Sequence, residues 1–598
     1  MTRRVFIRSL HSFQSAGRQP ERAGRPCYPS SSKPGQEIRF WLVLTLTCLP
    51  LLHRGAAPTL EHLYPVAVQI GSTNSVTAIG EFDPWPPQVW VDAPGILFKA
   101  ETNSGRFRVE VATNAPSGPH LVRLFNAKGA SRPRFLIVAR EPQLAEQEPN
   151  DDYRSGQAVG TLPAAVNGRL EKSGDVDSFA VELEAGQTFI ASVEAYTLGS
   201  PVDAVLRLVD GRGVPVAMNH DDGRTLDPSL AWTATATGGY VLQVFGFAYP
   251  AGSDVRFTGS NKCVYRVHLS RGRWLRYTLP LGVSRHGRTS LQAVGWNLGA
   301  NPEGRIEFDG AAVPAGGART SLQPAGFENA FSLAVGDGPE LRESELSDAS
   351  HRATSLRPPW AVTGCLDRPG EEDHFPFAAK KGEKLLLEIQ SASLGFPLDA
   401  QLRVEDGKGK EVAKSDDGPT ADPFLEWMPP EDGTYVAVVG SLLHRGSPDH
   451  LYRLSLRPAV PTWKATVGEN GFTVEPGGTN DIKVTIKRMH ELKSKLTVSA
   501  QGFPMGVRAQ PVDLPDKGGE VVLKLIAGSD SKPWSGPILI LVTEEGSGKQ
   551  QPAVVELVAT GVDNGVPNGF ARLLIESTDQ CWLTVLAAEI KAAEAKKK

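Results

Sequence analysis

Apolar residues recur with a period of two in short runs that are broken by glycine-rich turns. Phe179, Val181 and Leu183 alternate with polar residues, Gly186 marks a turn, and Phe189, Ala191 and Val193 resume the alternation. Strand side chains point to opposite faces in turn, so the pattern predicts two half-buried strands joined as an antiparallel hairpin. Leu206 and Leu208 alternate up to the turn Asp210-Gly211-Arg212-Gly213, and Gly238-Gly239 leads into a strand from Tyr240 to Phe245. The 61 Gly and 46 Pro, beside only five Met, favour strands and tight turns over long helices. At 598 residues the chain exceeds what one core supports and must divide into domains. The predicted class is all-β, a tandem array of β-sandwich domains.

An internal repeat organises the array. Leu198 to Trp232 (LGSPVDAVLRLVDGRGVPVAMNHDDGRTLDPSLAW) returns as Leu394 to Trp427 (LGFPLDAQLRVEDGKGKEVAKSDDGPTADPFLEW). Asp203 and Asp399, Asp227 and Asp422, and Trp232 and Trp427 are the matching pairs. The match reaches back to Glu146 and Glu148, aligned with Glu343 and Glu345, and forward to the closing strands that start at Tyr265 and Tyr452. Each copy is long enough for one sandwich. A weaker repeat precedes each copy, from Leu63 (LYPVAVQIGSTNSVTAIG) and from Leu279 (LPLGVSRHGRTSLQAVG). Trp232 and Trp427, at strand positions in both copies, are expected in the core.

The lead-in EQEPNDD (Glu146 to Asp152), a spacer ending in VNGRL, the stretch GDVDSFAVEL (Gly174 to Leu183) and the late GGYVLQV resemble the bacterial pre-peptidase C-terminal (PPC) domain. That family includes the collagen-binding modules of clostridial collagenases. The resemblance covers residues 141–270 well and 340–457 more loosely, where the lead-in reads ESELSD and the acidic turn GEED. The weaker repeats resemble the IPT/TIG immunoglobulin-like domain. The implied order is a leader (1–57), an IPT/TIG-like domain (58–140), a PPC-like, jelly-roll-like sandwich (141–270), a second IPT/TIG-like domain (271–339), a second PPC-like sandwich (340–457), an Ig-like C-terminal sandwich (458–562) and a tail (563–598), partly helical or disordered. The Ala-, Glu- and Lys-rich stretch from Leu583 to Lys598 supports the last assignment through helix propensity without an apolar face.

Calcium takes six to eight oxygen ligands, largely carboxylates and carbonyls. Glu146, Glu148, Asn150, Asp151 and Asp152 offer five oxygen-bearing side chains within seven residues, and Asp175 and Asp177 offer two more just before a strand. In an extended lead-in Glu146, Glu148 and Asn150 share one side. If that side meets the Asp175–Asp177 turn, a cage forms; otherwise the same acids read as a solvated linker with Asx turns. The resemblance to the collagenase modules implies the cage, with Glu146, Glu148, Asn150, Asp151 and Asp177 as calcium ligands. Asp175 is weaker, because Gly174 stands where the collagenase form carries a further acid. The second copy would use Glu343, Glu345, Ser347, Asp348, Glu371 and Asp373, although Ser347 is a poorer ligand than Asn and Leu346 replaces the proline. Asp221-Asp222 and Asp416-Asp417 also repeat, in glycine-containing loops where turn chemistry accounts for them.

The net charge of −4 hides an asymmetry. Of 63 basic and 67 acidic residues, nine basic and two acidic lie within residues 1–57, so the remainder is acidic by about 11 charges. That sign gives no footprint for nucleic acid. The run from Phe40 to Leu52, flanked by Arg39 and the small residues Gly55 to Ala57, is too short for a stable membrane span but suits the hydrophobic part of a signal peptide. The long basic segment before it points to a start codon placed too early. Export to a periplasmic, cell-surface or extracellular location follows, with no transmembrane helix once the leader is removed. Cys263, Cys365 and Cys581, the cysteines after the leader, are too far apart for a disulfide framework or a metal cluster.

No Gly-x-Ser-x-Gly nucleophile motif or phosphate loop is present. After His490-Glu491, Ser494 stands where the second histidine of a zinc protease is needed. The expected function is that of an exported, non-catalytic binding or scaffold protein, binding Ca2+ through its PPC-like modules and engaging extracellular protein or polysaccharide. The alternatives are a hydrolase with an active site between domains and a purely structural spacer.

Overall fold

In the computed structural model, 53% of residues are strand and 3% helix, which makes the class all-β. The structure describes residues 55–588 except 224, 252, 254–255, 300–304, 314–316, 347–355 and 558–572. Expectations that fall on the leader through residue 54, on Ser347 and Asp348, and on residues 589–598 lie outside the described residues. Among the described residues no helix is long and apolar enough to cross a membrane.

Alternation along each strand drives one face of each sheet onto its partner sheet. The first large sandwich pairs two five-stranded sheets. One runs in the order Gln143–Ala145, Ala164–Arg169, Val264–Ser270, Thr188–Glu194, Ser229–Thr233; the other Gln157–Ala158, Asp177–Leu183, Gly238–Ala248, Val202–Asp210, Pro215–Asn219. Phe179, Val181 and Leu183 from the second sheet meet Phe189, Ala191 and Val193 from the first in one buried core. These two strands therefore do not form the predicted hairpin. Asp177–Leu183 pairs with Gly238–Ala248, whereas Thr188–Glu194 pairs with Val264–Ser270 and Ser229–Thr233. The connection at Gly186 arches from one sheet to the facing one, and an arch and a hairpin share the same binary pattern. Val202–Asp210 and Pro215–Asn219 do form a hairpin, in which Asp210 accepts from the backbone of Arg212 and Val214.

Residues 340–458 repeat this plan. The sheet Glu340–Arg342, Trp360–Cys365, Leu451–Pro458, Leu385–Gln390, Phe424–Trp427 faces Glu372–Ala379, Gly433–Ser441, Ala400–Glu405, Glu411–Ser415. Trp427 is buried against Tyr435 with ring centroids 4.8 Å apart, and the half-buried Trp232 lies 4.9 Å from Tyr240 in the first copy. Both tryptophans are packing residues.

A smaller sandwich precedes each large one. In the first, the sheet His62–Tyr64, Thr73–Ile79, Arg106–Val111, Ile96–Ala100 faces Ala67–Gln69, Arg134–Ala139, Gly118–Asn126, Gln88–Val91. The second has two three-stranded sheets around Leu275, Val283, Leu291 and Leu333. Each is fastened to the large sandwich that follows it. Asn167 Oδ1 accepts from Ala67 N, and Thr363 Oγ1, at the matching position of the second copy, accepts from Leu281 N, both at 2.9 Å and both buried.

The C-terminal sandwich includes Thr462–Val467, Thr479–Met489, Gly519–Ala527 and Trp534–Glu544. Its sheet also contains Gln580–Val585, which pairs with Gly471–Val474 and Trp534–Glu544. The sandwich thus extends beyond residue 562, and the helical or disordered reading of the tail is corrected for this segment. The run Cys581 to Val585 is wholly buried, and that burial outweighs the helix propensity of the residues after it. Trp582 packs against Trp90 and Phe125 of the first small sandwich. Arg123, 1% exposed, donates to Asn470 Oδ1 at 3.4 Å and Gln580 O at 3.1 Å. The first and last sandwiches are therefore in contact, and the array bends back on itself. Cys263, Cys365 and Cys581 are free thiols.

Candidate metal centre

At the edge of the first large sandwich the chain leaves strand Gln143–Ala145 and runs to the one-turn 3-10 helix Tyr153–Ser155, which Asp152 caps by accepting from Arg154 N. Beside this path lies the turn into strand Asp177–Leu183, where Gly174 takes φ +90°, a conformation that L side chains rarely adopt.

The two segments aim their oxygens at one another. Glu146 accepts from Arg169 N at 2.8 Å and from Asn150 Nδ2 at 3.3 Å, and Glu148 accepts from Asn150 N at 2.9 Å. Opposite them, Asp175 accepts from Glu171 N at 2.5 Å and Asp177 from the Tyr265 hydroxyl at 2.6 Å. Carboxylate oxygens of Glu146, Glu148 and Asp177 lie within 4.8 Å of one another, as do those of Glu148, Asp151 and Asp175. Of the residues singled out in this copy, Asp152 is committed elsewhere as the helix cap, and Asp151 is also bonded to Lys172.

Asn150, Asp175 and Asp177 are each 0% exposed, and Oδ1 of each is buried without a hydrogen-bond partner. Buried polar atoms are nearly always satisfied, and an unsatisfied charged one is the most costly kind. All three are oxygens on the two facing segments, and none receives a hydrogen bond, although the Lys172 ammonium lies within ion-pair distance of the one on Asp175. Ligands of one calcium ion each lie about 2.3–2.6 Å from it and so within about 5 Å of each other. Within each of the two trios, which share Glu148, the spread fits that limit, and an all-oxygen donor set suits a hard cation.

Protonation shows the same strain. Burial, then the neighbouring Glu146 charge, pushes Asp177 up to about 10. Burial also raises Glu146 and Asp175. Asp151 is lowered, because Lys172 Nζ bonds its carboxylate at 3.0 Å. The same ammonium stands 3.6 Å from Asp175 Oδ1 on an exposed side chain.

The hydrogen bond from Tyr265 is a feature the sequence reading missed. Gly168 lies opposite Tyr265 in the sheet, and a Cβ there would sit 2.2 Å from the phenol oxygen. The ring crosses the strand through the space a side chain would fill and reaches Asp177. Gly364, Tyr452 and Asp373 repeat the arrangement, with the Tyr452 hydroxyl 2.5 Å from Asp373. The signal was present in the paired runs VNGRL and VTGCL and in the tyrosines that open both closing strands.

The second copy is built differently around this shared triad. Its lead-in forms a one-turn helix, Glu343–Leu346, instead of an extended segment. Glu345 accepts from Arg342 N at 3.0 Å and Glu371 from Arg368 N at 2.8 Å, so both are used in local turns. Glu343 accepts from Cys365 N at 3.4 Å and adjoins Asp373, which burial pushes up to about 7. Among the described residues no trio of ligand atoms gathers in this copy.

No family model matches the chain. No curated protein matches it either. Among solved structures, tripeptidyl peptidase 2 aligns with 88% of the chain at 9% identity and a TM-score of 0.14, and the aligned region is 40% of that protein's length. A protein described as membrane-anchored, from Corynebacterium diphtheriae, aligns over 84% of the chain and 98% of its own length at 8% identity and a TM-score of 0.12. Similarity at this level carries no functional information.

Proposed function

We propose that the chain is an exported, non-catalytic binding or scaffold protein whose first large sandwich is a PPC-like module braced by one calcium ion. The three unpartnered buried oxygens of Asn150, Asp175 and Asp177 are the observation that supports it. Glu146, Glu148, Asn150, Asp151, Asp175 and Asp177 would hold the ion. The cation would neutralise the carboxylates that burial disfavours and tie the lead-in, hence the preceding small sandwich, to the large one. The second large sandwich keeps the Gly-Tyr-Asp triad but uses Glu345 and Glu371 in local turns. Extracellular protein or polysaccharide is the proposed partner class.

The contact of the first sandwich with the last favours a scaffold that holds surfaces in a fixed arrangement over an extended spacer. Isothermal titration of the full chain with calcium chloride is the test. One saturable site, lost in Glu148→Gln and retained in Glu371→Gln, supports the proposal; the absence of heat in the native chain contradicts it.

A further inference from the structure

Where the two small and two large sandwiches approach one another, they enclose a cleft of about 710 Å³, within the range of ligand sites. Its floor is the outer face of the first large sandwich, with Ser192, Glu194, Arg266 and His268, and its far wall includes Tyr277 and Trp296 of the second small sandwich. The matching face of the second copy lines a smaller cleft of about 210 Å³, which serves as an internal comparison.

Part of the floor is common to both copies and structural. Arg266 is bonded to Glu141 and, at 2.8 Å, to Glu194, as Arg453 is bonded to Glu340 at 2.9 Å and to Gln390 at 2.8 Å. Two strand positions beyond the arginine the copies differ: His268 stands in the first and Ser455 in the second. The fold therefore does not require an imidazole here. His268 is 8% exposed, with Nδ1 3.6 Å from Glu141 and Nε2 buried without a partner. Glu141 is held to about 2: burial raises it, but the contact with His268 and the charge of Arg266 outweigh that.

Carboxylates outnumber cationic side chains in the rest of the cleft. The exposed Asp449, with Asp221 and Asp222, adds carboxylates at the margin, while the buried Asp227 is satisfied by the backbone of Ala195, Tyr196 and Thr197. Of the arginines, Arg266 is closed by its two carboxylates, Arg140 is exposed, and Arg276 lies over the rings of Trp296 and Tyr277 at 5.1 and 5.9 Å. That last contact shows that these aromatic faces accept a guanidinium. We propose that the cleft binds a basic peptide segment, with arginine or lysine side chains against the Asp221-Asp222 margin and the aromatic wall and a polar group hydrogen-bonded to His268 Nε2. The acidic balance of the chain after residue 57 would draw such a partner in. This deepens the binding reading above by naming a partner class, and it does not depend on the calcium site.

The test is fluorescence anisotropy of the full chain with a labelled heptapeptide alternating glycine with arginine or lysine. A matched glutamate peptide and a neutral tetrasaccharide are the comparison probes, each measured with calcium and with chelator. The variants are His268→Ser, which installs the residue of the second copy, and Asp221→Asn with Asp222→Asn, which alters only the margin. Saturable binding of the basic peptide alone, weakened by salt and at least about fivefold by each variant, supports the proposal. No binding, equal binding of the acidic peptide or the tetrasaccharide, or binding that the Asp221/Asp222 variant leaves unchanged overturns it. Loss of calcium binding with peptide binding intact would overturn the metal site alone.

Discussion

The Tyr265 hydroxyl donates to Asp177 Oδ2 at 2.6 Å, and the other oxygen of that carboxylate is buried without a partner. The tyrosine fixes the orientation of the carboxylate and leaves one lone-pair face directed away from the phenol. A group that orients a ligand without touching the ion is expected to alter affinity by one to two orders of magnitude. Tyr265→Phe should weaken calcium binding by about 10-fold or more and destabilise the first large sandwich by about 1–3 kcal/mol, through an orphaned oxygen. Tyr452→Phe should lower stability by a similar amount and leave calcium titration unchanged, which separates the two copies.

Asp177→Asn addresses charge. Asparagine keeps an oxygen for Tyr265 and stays neutral in the buried site without taking up a proton on folding, as Asp177 must. In chelator at neutral pH this variant should be more stable than the native chain, by about 1–3 kcal/mol, and its melting temperature should no longer respond to calcium. A native-like response in calorimetry would exclude Asp177 as a ligand.

The pH dependence has a definite sign. Asp177, Asp175 and Glu146 all have folded-state pKa values above their ordinary ones, so without calcium the folded chain binds more protons than the unfolded one. The stability this supplies is fully present below the unfolded carboxylate range, about pH 4, and is lost as pH rises toward about 10, where Asp177 titrates when folded. In chelator the melting temperature of the first sandwich should fall between acid and mildly alkaline pH. Calcium competes with those protons, so its affinity should rise over the same range; a pH-independent affinity would contradict the shared site.

Gly168→Ala tests the tyrosine crossing. The added Cβ would lie 2.2 Å from the Tyr265 ring and hydroxyl, closer than any real contact, and the neighbouring ring is buried. Displacing it should cost about 3 kcal/mol and lower calcium affinity together with stability. Gly364→Ala should carry the stability loss alone, read by urea unfolding.

Arg123→Ala tests the return of the array upon itself. The guanidinium joins the first sandwich to Asn470 and Gln580 of the last from a fully buried position. Its removal should loosen that contact and raise the radius of gyration in small-angle scattering, while calcium binding is unchanged. An identical scattering profile would mean that Trp582 with Trp90 and Phe125 holds the contact unaided.

The sequence showed the strands more clearly than their partners. Phe179 to Leu183 and Phe189 to Val193 were legible as strands because alternation reports burial of one face. Nothing in a period of two says whether Gly186 closes a hairpin or an arch between sheets, and it closes the arch. The tail shows the converse: five buried residues ending at Val585 form a strand that the Ala- and Lys-rich stretch beyond them obscured. At the candidate site the acidic residues were visible as a cluster. Their meeting across two segments is a tertiary fact without a local pattern, whereas Gly168 and Tyr265, which support it, left a trace in the repeated runs VNGRL and VTGCL and in the tyrosines of the closing strands. The divergence of the second copy was visible in Ser347 and Leu346, but not the turns that consume Glu345 and Glu371.

Calorimetry of the full chain with chelator and with saturating calcium, native and Glu146→Ala/Glu148→Ala, bears most directly on the braced sandwich. A ligand at 100 times its dissociation constant stabilises by about 2.7 kcal/mol, which for a domain of this size is a shift of about 5–15 °C. The native chain should show one transition that moves up by that amount with calcium, and the double variant should show none that moves. Identical thermograms for the native chain with and without the ion would contradict calcium binding, and the carboxylates of the lead-in would then be a protonated or solvated linker.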